Sequence, residues 1–146
     1  MAGPRVTFYV LPEAGNEARL RFACRLVEKA YLGEHRVVVR CASSDAAREL
    51  DEPLWRFSDQ SFVPHELVPP GSGDAAPVSI CCEGKPGRLP EVLVNLRDDV
   101  PEWYGGCERI AEILDASEEC RRSGRERFRL YRENGREPET HNMGAA

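Results

Sequence analysis

No apolar run in this chain approaches the roughly 18 residues needed to cross a bilayer, so no membrane span is expected. The opening residues, Met1-Ala2-Gly3-Pro4-Arg5, lack a charged region followed by a long apolar stretch. No secretory signal is read there, and a cytoplasmic location is expected. The six cysteines, at positions 24, 41, 81, 82, 107 and 120, form no Cys-x-x-Cys pair and no Cys/His set at zinc-finger spacing. They read as small core thiols in a reducing compartment, with no metal. Repeats and low-complexity tracts are absent. So are Gly-x-Gly-x-x-Gly and Gly-x-x-x-x-Gly-Lys-Ser/Thr, the loops that cradle phosphate. After the first strand comes Pro12-Glu13-Ala14-Gly15-Asn16, with a single glycine and a carboxylate where phosphate would sit. No cofactor is expected.

What is present fits one folded domain. The 146 residues are 41% hydrophobic and 31% charged, enough for one real core. The formal net charge of −5 excludes a generally basic coat for nucleic acid. Residues 121–136 depart sharply from that balance, with seven Arg against Glu126 and Glu133.

The chain reads in order as strand, helix, strand, helix, loop, strand, strand, helix, helix. Val6 to Leu11 is β-rich. Asn16 is expected to cap a helix whose apolar stripe is Leu20, Ala23, Cys24, Val27, Ala30 and Tyr31, ending at Gly33. His35 to Cys41 is a second strand, and its Val37-Val38-Val39 run suggests burial on both faces, as in a parallel sheet. Ser43 or Ser44 with Asp45 caps a helix from Ala46 to about Trp55, interrupted near Pro53. Residues 56–77 read mostly as connection. Strands follow at Pro77 to Cys82 and Glu91 to Leu96. A helical stretch is expected from about Glu102, packed through Cys107, Ile110, Ala111, Ile113 and Leu114. An Arg-rich helix runs from Ser117 to Glu133, closed by Asn134-Gly135, and Glu137 to Ala146 is expected as a loose tail. The expected fold is a single three-layer α/β/α domain over residues 1–136, with a mostly parallel sheet of Rossmann-like topology and no phosphate loop.

Few residues suggest catalysis. No cysteine lies in a nucleophile motif, and the histidines at 35, 65 and 141 read as surface or locally bonded groups. Asp98-Asp99 and Glu118-Glu119 are sequence neighbours and do not face one site. The Arg-rich helix differs. Arg121, Arg125, Phe128, Arg129 and Arg132 share one broad face, while Arg122, Glu126 and Glu133 face the other way. Leu130, with Tyr131, is expected to turn toward the core. A ring set among guanidiniums suits an acidic peptide with an apolar anchor, or single-stranded nucleic acid. A solvated helix with Arg stems lying along the core fits the pattern equally well. Trp55 and Phe62 are either core plugs or interface anchors.

At these residues the sequence resembles the chi subunit family of bacterial DNA polymerase III, an accessory subunit of the clamp-loader assembly. The resemblance is carried by Phe8-Tyr9-Val10-Leu11, Leu50-Asp51-Glu52-Pro53-Leu54-Trp55, Ser61-Phe62-Val63-Pro64-His65-Glu66-Leu67, Pro77-Val78-Ser79-Ile80, Val92-Leu93-Val94-Asn95-Leu96 and Arg125-Glu126-Arg127-Phe128-Arg129-Leu130-Tyr131-Arg132. It implies a non-catalytic subunit of a polymerase holoenzyme at the nucleoid-associated replisome. It also implies two partners: the psi subunit, and the acidic C-terminal tail of single-stranded-DNA-binding protein, which ends in an apolar residue with a free carboxylate. A repair helicase is a further implied partner in some bacteria, with DNA reached mainly indirectly.

Carried over by position, the tail site comprises Trp55, Arg121, Arg125, Phe128 and Arg129, and the psi surface comprises Phe62, Leu114 and Arg132. Phe128 stands where some members have Tyr, and Arg121 and Arg129 where Lys is common. The alternative is direct binding of single-stranded nucleic acid through the same helix.

Overall fold

Val37-Val38-Val39 is buried at every position, which places its strand in the middle of a sheet covered on both faces. The computed structural model describes residues 4–56, 65–67, 77–82 and 89–143. Among them are strands β1 (Arg5–Val10), β2 (Val37–Arg40), β3 (His65–Leu67), β4 (Val78–Cys81), β5 (Val92–Asn95), β6 (Arg109–Leu114) and β7 (Glu139–Asn142). The helices are α1 (Asn16–Leu32), α2 (Ser44–Arg56) and α3 (Glu118–Glu133), with one 3-10 turn at Glu102–Gly106. The strands form one sheet in the order β3-β4-β2-β5-β6-β1-β7, and every pairing is parallel.

The two-residue period of the strands sorts the core into two layers. Val37, Val39, Val78, Ile80, Val94, Ala111 and Ile113 point to the side covered by α1 and α2. Val6, Phe8, Val38, Leu93, Ile110 and Leu114 point to the other side, beneath α3 and the 3-10 turn. The expected three-layer α/β/α architecture is therefore present. The four buried thiols, Cys24, Cys41, Cys81 and Cys107, join these layers. Burial raises the thiol pKa to about 11 for Cys24 and Cys81, and to about 12 for Cys41 and Cys107.

Several elements differ from the sequence reading. The helix expected through Cys107 to Leu114 is instead β6, a central strand between β5 and β1. Both its faces are covered, so Ile110, Ala111, Ile113 and Leu114 make a short apolar run, broken only by Glu112, that fits either period. The tail expected to be loose contains β7, which extends β1 in register from Thr7–Glu139 to Val10–Asn142. Its residues, Glu-Thr-His-Asn, are polar and exposed, so backbone pairing makes the strand with no hydrophobic signal. β3 lies within the segment read as connection.

Capping differs too. Gly15, not Asn16, occupies the cap position of α1, at φ 109°, a left-handed conformation that favours glycine. Asn16 is the first helical residue and donates to Glu49 Oε2 at 3.1 Å. In α2 the Ser43 hydroxyl accepts from the Ala46 amide at 3.1 Å, and the helix continues through Pro53 to Arg56.

Candidate functional site

Position follows from the inward line of α3. Cys120, Gly124, Arg127 and Tyr131 recur at four, three and four residues and face the sheet. One residue on, Arg121, Arg125, Phe128 and Arg132 repeat that rhythm along the helix flank. Ser117 caps the helix by accepting from the Cys120 amide at 3.2 Å, and Glu118 and Glu119 lie favourably in its first turn. Asn134 caps the other end, followed by Gly135 at φ 82°.

The rotation of α3 is held by a buried polar network that the sequence reading missed. Glu112, in the centre of β6, has no exposed surface. Its Oε1 accepts from Arg127 Nε at 3.0 Å, and its Oε2 from Tyr131 Oη at 2.8 Å and Asn95 Nδ2 at 2.9 Å. Burial pushes the Glu112 carboxyl above the usual carboxylate range, opposed by the Arg127 charge and the donors. Burial and the Glu112 charge together raise the Tyr131 phenol well above its ordinary value. The network continues through Asn95 Oδ1 to Arg40 at 3.3 Å, and Arg40 pairs with Asp99 at 2.9 Å. A lone Glu in the apolar run Ile110-Ala111-Glu112-Ile113-Leu114 was the sequence signal for it.

Gly124 sets how closely α3 approaches the sheet. A Cβ there would lie 2.5 Å from Leu114 Cδ1 and 2.7 Å from Cδ2. The close approach leaves a groove of about 720 Å³ along the flank of α3, between the helix and edge strand β7. Its floor is apolar: Phe8, Val10, Leu114 and the half-buried Phe128. Phe128 packs on Phe8 with ring centroids 5.3 Å apart. The rim holds Arg121, Arg125, Arg129 and Arg132 against one carboxylate, Glu133, and Thr140 and Asn142 of β7 form the far wall. All four guanidiniums are exposed, and none forms an ion pair among the described residues. A rigid cationic fork beside an apolar floor matches a carboxylate attached to an apolar group.

The structure brings together four of the five residues expected for tail binding: Arg121, Arg125, Phe128 and Arg129. The fifth, Trp55, lies in the last turn of α2, which packs on α1, β3 and β4 beneath the opposite face of the sheet. Of the residues expected for the psi surface, Leu114 and Arg132 line this same groove, and Phe62 lies outside the described residues. Leu130, expected to turn toward the core, is 40% exposed, whereas Tyr131 is fully buried.

The crevice at the carboxyl ends of the strands, where α/β sheets take their ligands, is built differently. Asp115, at the end of β6, accepts from the Ser117 amide at 2.7 Å and the Gly15 amide at 3.3 Å. This internal carboxylate ties the start of α3 to the start of α1. Burial opposes its charge, but the Ser117 and Gly15 bonds prevail and hold its pKa below the ordinary aspartate value.

Residues 4–139 match the family described as DNA polymerase III chi subunit, HolC. The chain is 38% identical over 140 residues to DNA polymerase III subunit chi of Pseudomonas aeruginosa, covering 95% of this chain and 96% of that protein. It is 28% identical over 138 residues to the subunit of the same name from Haemophilus influenzae, covering 94% and 96%. Identity to the Escherichia coli subunit is 28% over 134 residues, covering 88% of this chain and 91% of that one. The chain belongs to the DNA polymerase III chi subunit family, accessory subunits of a replicative polymerase complex.

Proposed function

We propose that this chain is a non-catalytic adaptor that grips the acidic C-terminal tail of single-stranded-DNA-binding protein in the α3 groove. It thereby tethers the polymerase to coated single strands, in the cytoplasm at the nucleoid-associated replisome. The observation that carries this reading is the set of four unpaired guanidiniums above a floor of Phe8, Val10, Leu114 and Phe128. Arg125 takes the terminal carboxylate, and the last apolar side chain rests against Phe128. Arg121 and Arg129 draw in the acidic residues that precede it, an attraction that salt screens.

The second proposed partner is the psi subunit, which links this subunit to the clamp loader, with Phe62 as its anchor. Leu114 and Arg132 are shared with the groove, so Phe62 alone separates the two surfaces experimentally. A repair helicase is proposed to use the psi surface where that partner exists.

Calorimetric titration with an acidic peptide ending in an apolar residue tests the tail reading. Binding is expected for the native protein. Arg125→Ala is expected to weaken it by about tenfold or more, the scale of one charged hydrogen bond. Equal affinity for Arg125→Ala would reject the assignment. The Arg rim also favours a second reading, direct binding of bare single strands. That reading predicts affinity for an oligonucleotide with a steep salt slope, and no dependence on the peptide's terminal residue.

A further inference from the structure

The sheet ends at β7, which pairs with β1 and with no other described strand. The direction of its backbone groups follows from the ladder around it. Arg5 and Leu11 amides bond to β6 carbonyls, at Glu108 and Leu114, whereas the Met143 amide bonds to the Val10 carbonyl at 2.8 Å. Alternation along a parallel pair therefore turns Glu139, His141 and Met143 toward β1. The N–H and C=O of Thr140 and of Asn142 point outward, away from the sheet.

The side chains of β7 also alternate. Thr140 and Asn142 line the α3 groove. Glu139 and His141 line a second cleft of about 430 Å³ on the other face of the sheet. Arg5, Lys29 and Arg109 stand around that cleft, with Arg5 paired to Glu139 at 3.3 Å. The free edge thus runs between two cationic clefts, one on each face. Only one carboxylate of its own, Glu139, lies on it.

We infer that the outer edge of β7 accepts an extended acidic peptide segment as an eighth strand of the sheet. This rests on the tail reading above: the peptide's last residues sit in the α3 groove, and the residues before them pair with Thr140 and Asn142. Charge complementarity selects the occupant. Successive side chains of an added strand point to opposite faces, so they meet the α3 arginines and the Arg5/Lys29/Arg109 group in turn. A strand acidic at consecutive positions satisfies the cationic groups of both clefts, whereas a basic strand satisfies neither. The polar, exposed β7 has no apolar side chain to shed water, so main-chain bonds and charge supply the attraction.

The test uses the full chain and a synthetic acidic peptide with a C-terminal Phe. The peptide is titrated unmodified and with single N-methylated amides placed one residue at a time. Strand addition predicts alternation: methylation at every second amide lowers affinity about tenfold, and at the amides between changes it less than twofold. Thr140→Pro removes an outward donor while leaving the β1 ladder intact, a substitution an edge strand accepts. It is expected to lower affinity about tenfold as well, with the melting temperature of the free protein little changed.

If the peptide binds and Arg125→Ala weakens it, but methylation shows no alternation, this inference is overturned and the groove reading stands. If the peptide does not bind at all, the groove reading fails, and this one with it. A concentration-dependent dimer in sedimentation that Thr140→Pro abolishes would overturn it in favour of pairing between two copies. The N-methyl series needs no protein variant, so the outcome does not depend on Thr140→Pro folding.

Discussion

Replacing Arg127 with methionine should be the most damaging single change at the base of α3. Met keeps much of the stem but removes the guanidinium that donates to Glu112 at 3.0 Å. Glu112 is fully buried, and its remaining donors are Tyr131 and Asn95. Breaking a buried pair by removing one partner costs about 3–5 kcal/mol, much of it the stranded charge. That is a large part of a typical total of about 5–15 kcal/mol. For a domain of this size it corresponds to a fall in melting temperature on the order of 10 °C.

The pH dependence carries a distinctive sign. The folded-state pKa of Glu112 already lies above its unfolded value, and losing Arg127 raises it further. A carboxyl of this kind binds more protons folded than unfolded. Its destabilising effect is therefore greatest above the folded pKa and fades as pH falls toward the unfolded value, near 4.5. The Arg127→Met deficit should shrink by up to about 1.4 kcal/mol per pH unit as pH falls from the variant's folded pKa to the native one, the interval in which the two folded proteins differ in bound protons. Adding Glu112→Gln should restore most of the loss at pH 7, because the stranded charge is gone. Urea unfolding at pH 7 and pH 5, followed by circular dichroism, measures all three proteins. A single variant within about 1 kcal/mol of the native protein at pH 7, or a double variant no better than the single, would refute this account of the network.

Other consequences can be measured directly. Asp115 has a lowered folded pKa, so its contribution is present above the ordinary aspartate value of 3.8 and lost as pH falls through the lower folded value. Asp115→Asn should therefore reduce stability at pH 7 and flatten the fall in stability below pH 3.8, as followed by thermal melts across that range. Gly124→Ala gains about 1 kcal/mol of helix propensity but overpacks Leu114 by about 1–3 kcal/mol. The net loss should stay below about 2 kcal/mol, while Leu114, displaced into the groove, weakens peptide binding in calorimetry. Raising NaCl from about 50 to 500 mM should weaken the acidic peptide at least tenfold, since four exposed guanidiniums line the rim. Phe62→Ala should weaken association with psi in a pull-down and leave the peptide titration unchanged; the reverse result would exchange the two surfaces.

The amphipathic elements were legible in the sequence. α1 shows its stripe at helical spacing, α3 carries Ser117 at one end and Asn134-Gly135 at the other, and Val37-Val38-Val39 announces a strand buried on both faces. The failures have a common physical root. β6 is buried on both sides and, apart from Glu112, apolar, so its spacing could not distinguish a strand from a helix. β7 is polar on both sides and exists through its backbone bonds to β1, which side-chain patterning does not record.

The groove was legible in the same partial way. A helical wheel placed Arg121, Arg125, Phe128 and Arg129 on one face, because residues four, seven and eight apart need only a helix to meet. The floor of Phe8 and Val10 and the wall of Thr140 and Asn142 come from strands more than a hundred residues apart in sequence, and only the sheet order brings them together. The buried Arg127 was overlooked among six other arginines because its partner, Glu112, lay in a segment read as helix.

Mapping the acidic peptide onto amide chemical shifts of isotopically labelled protein tests the central claim most directly. Shift changes should concentrate on α3 from Arg121 to Arg132, on Phe8 and Val10, and on β7. Changes confined to α2 and β3 at the far edge of the sheet, or none at saturating peptide, would contradict it.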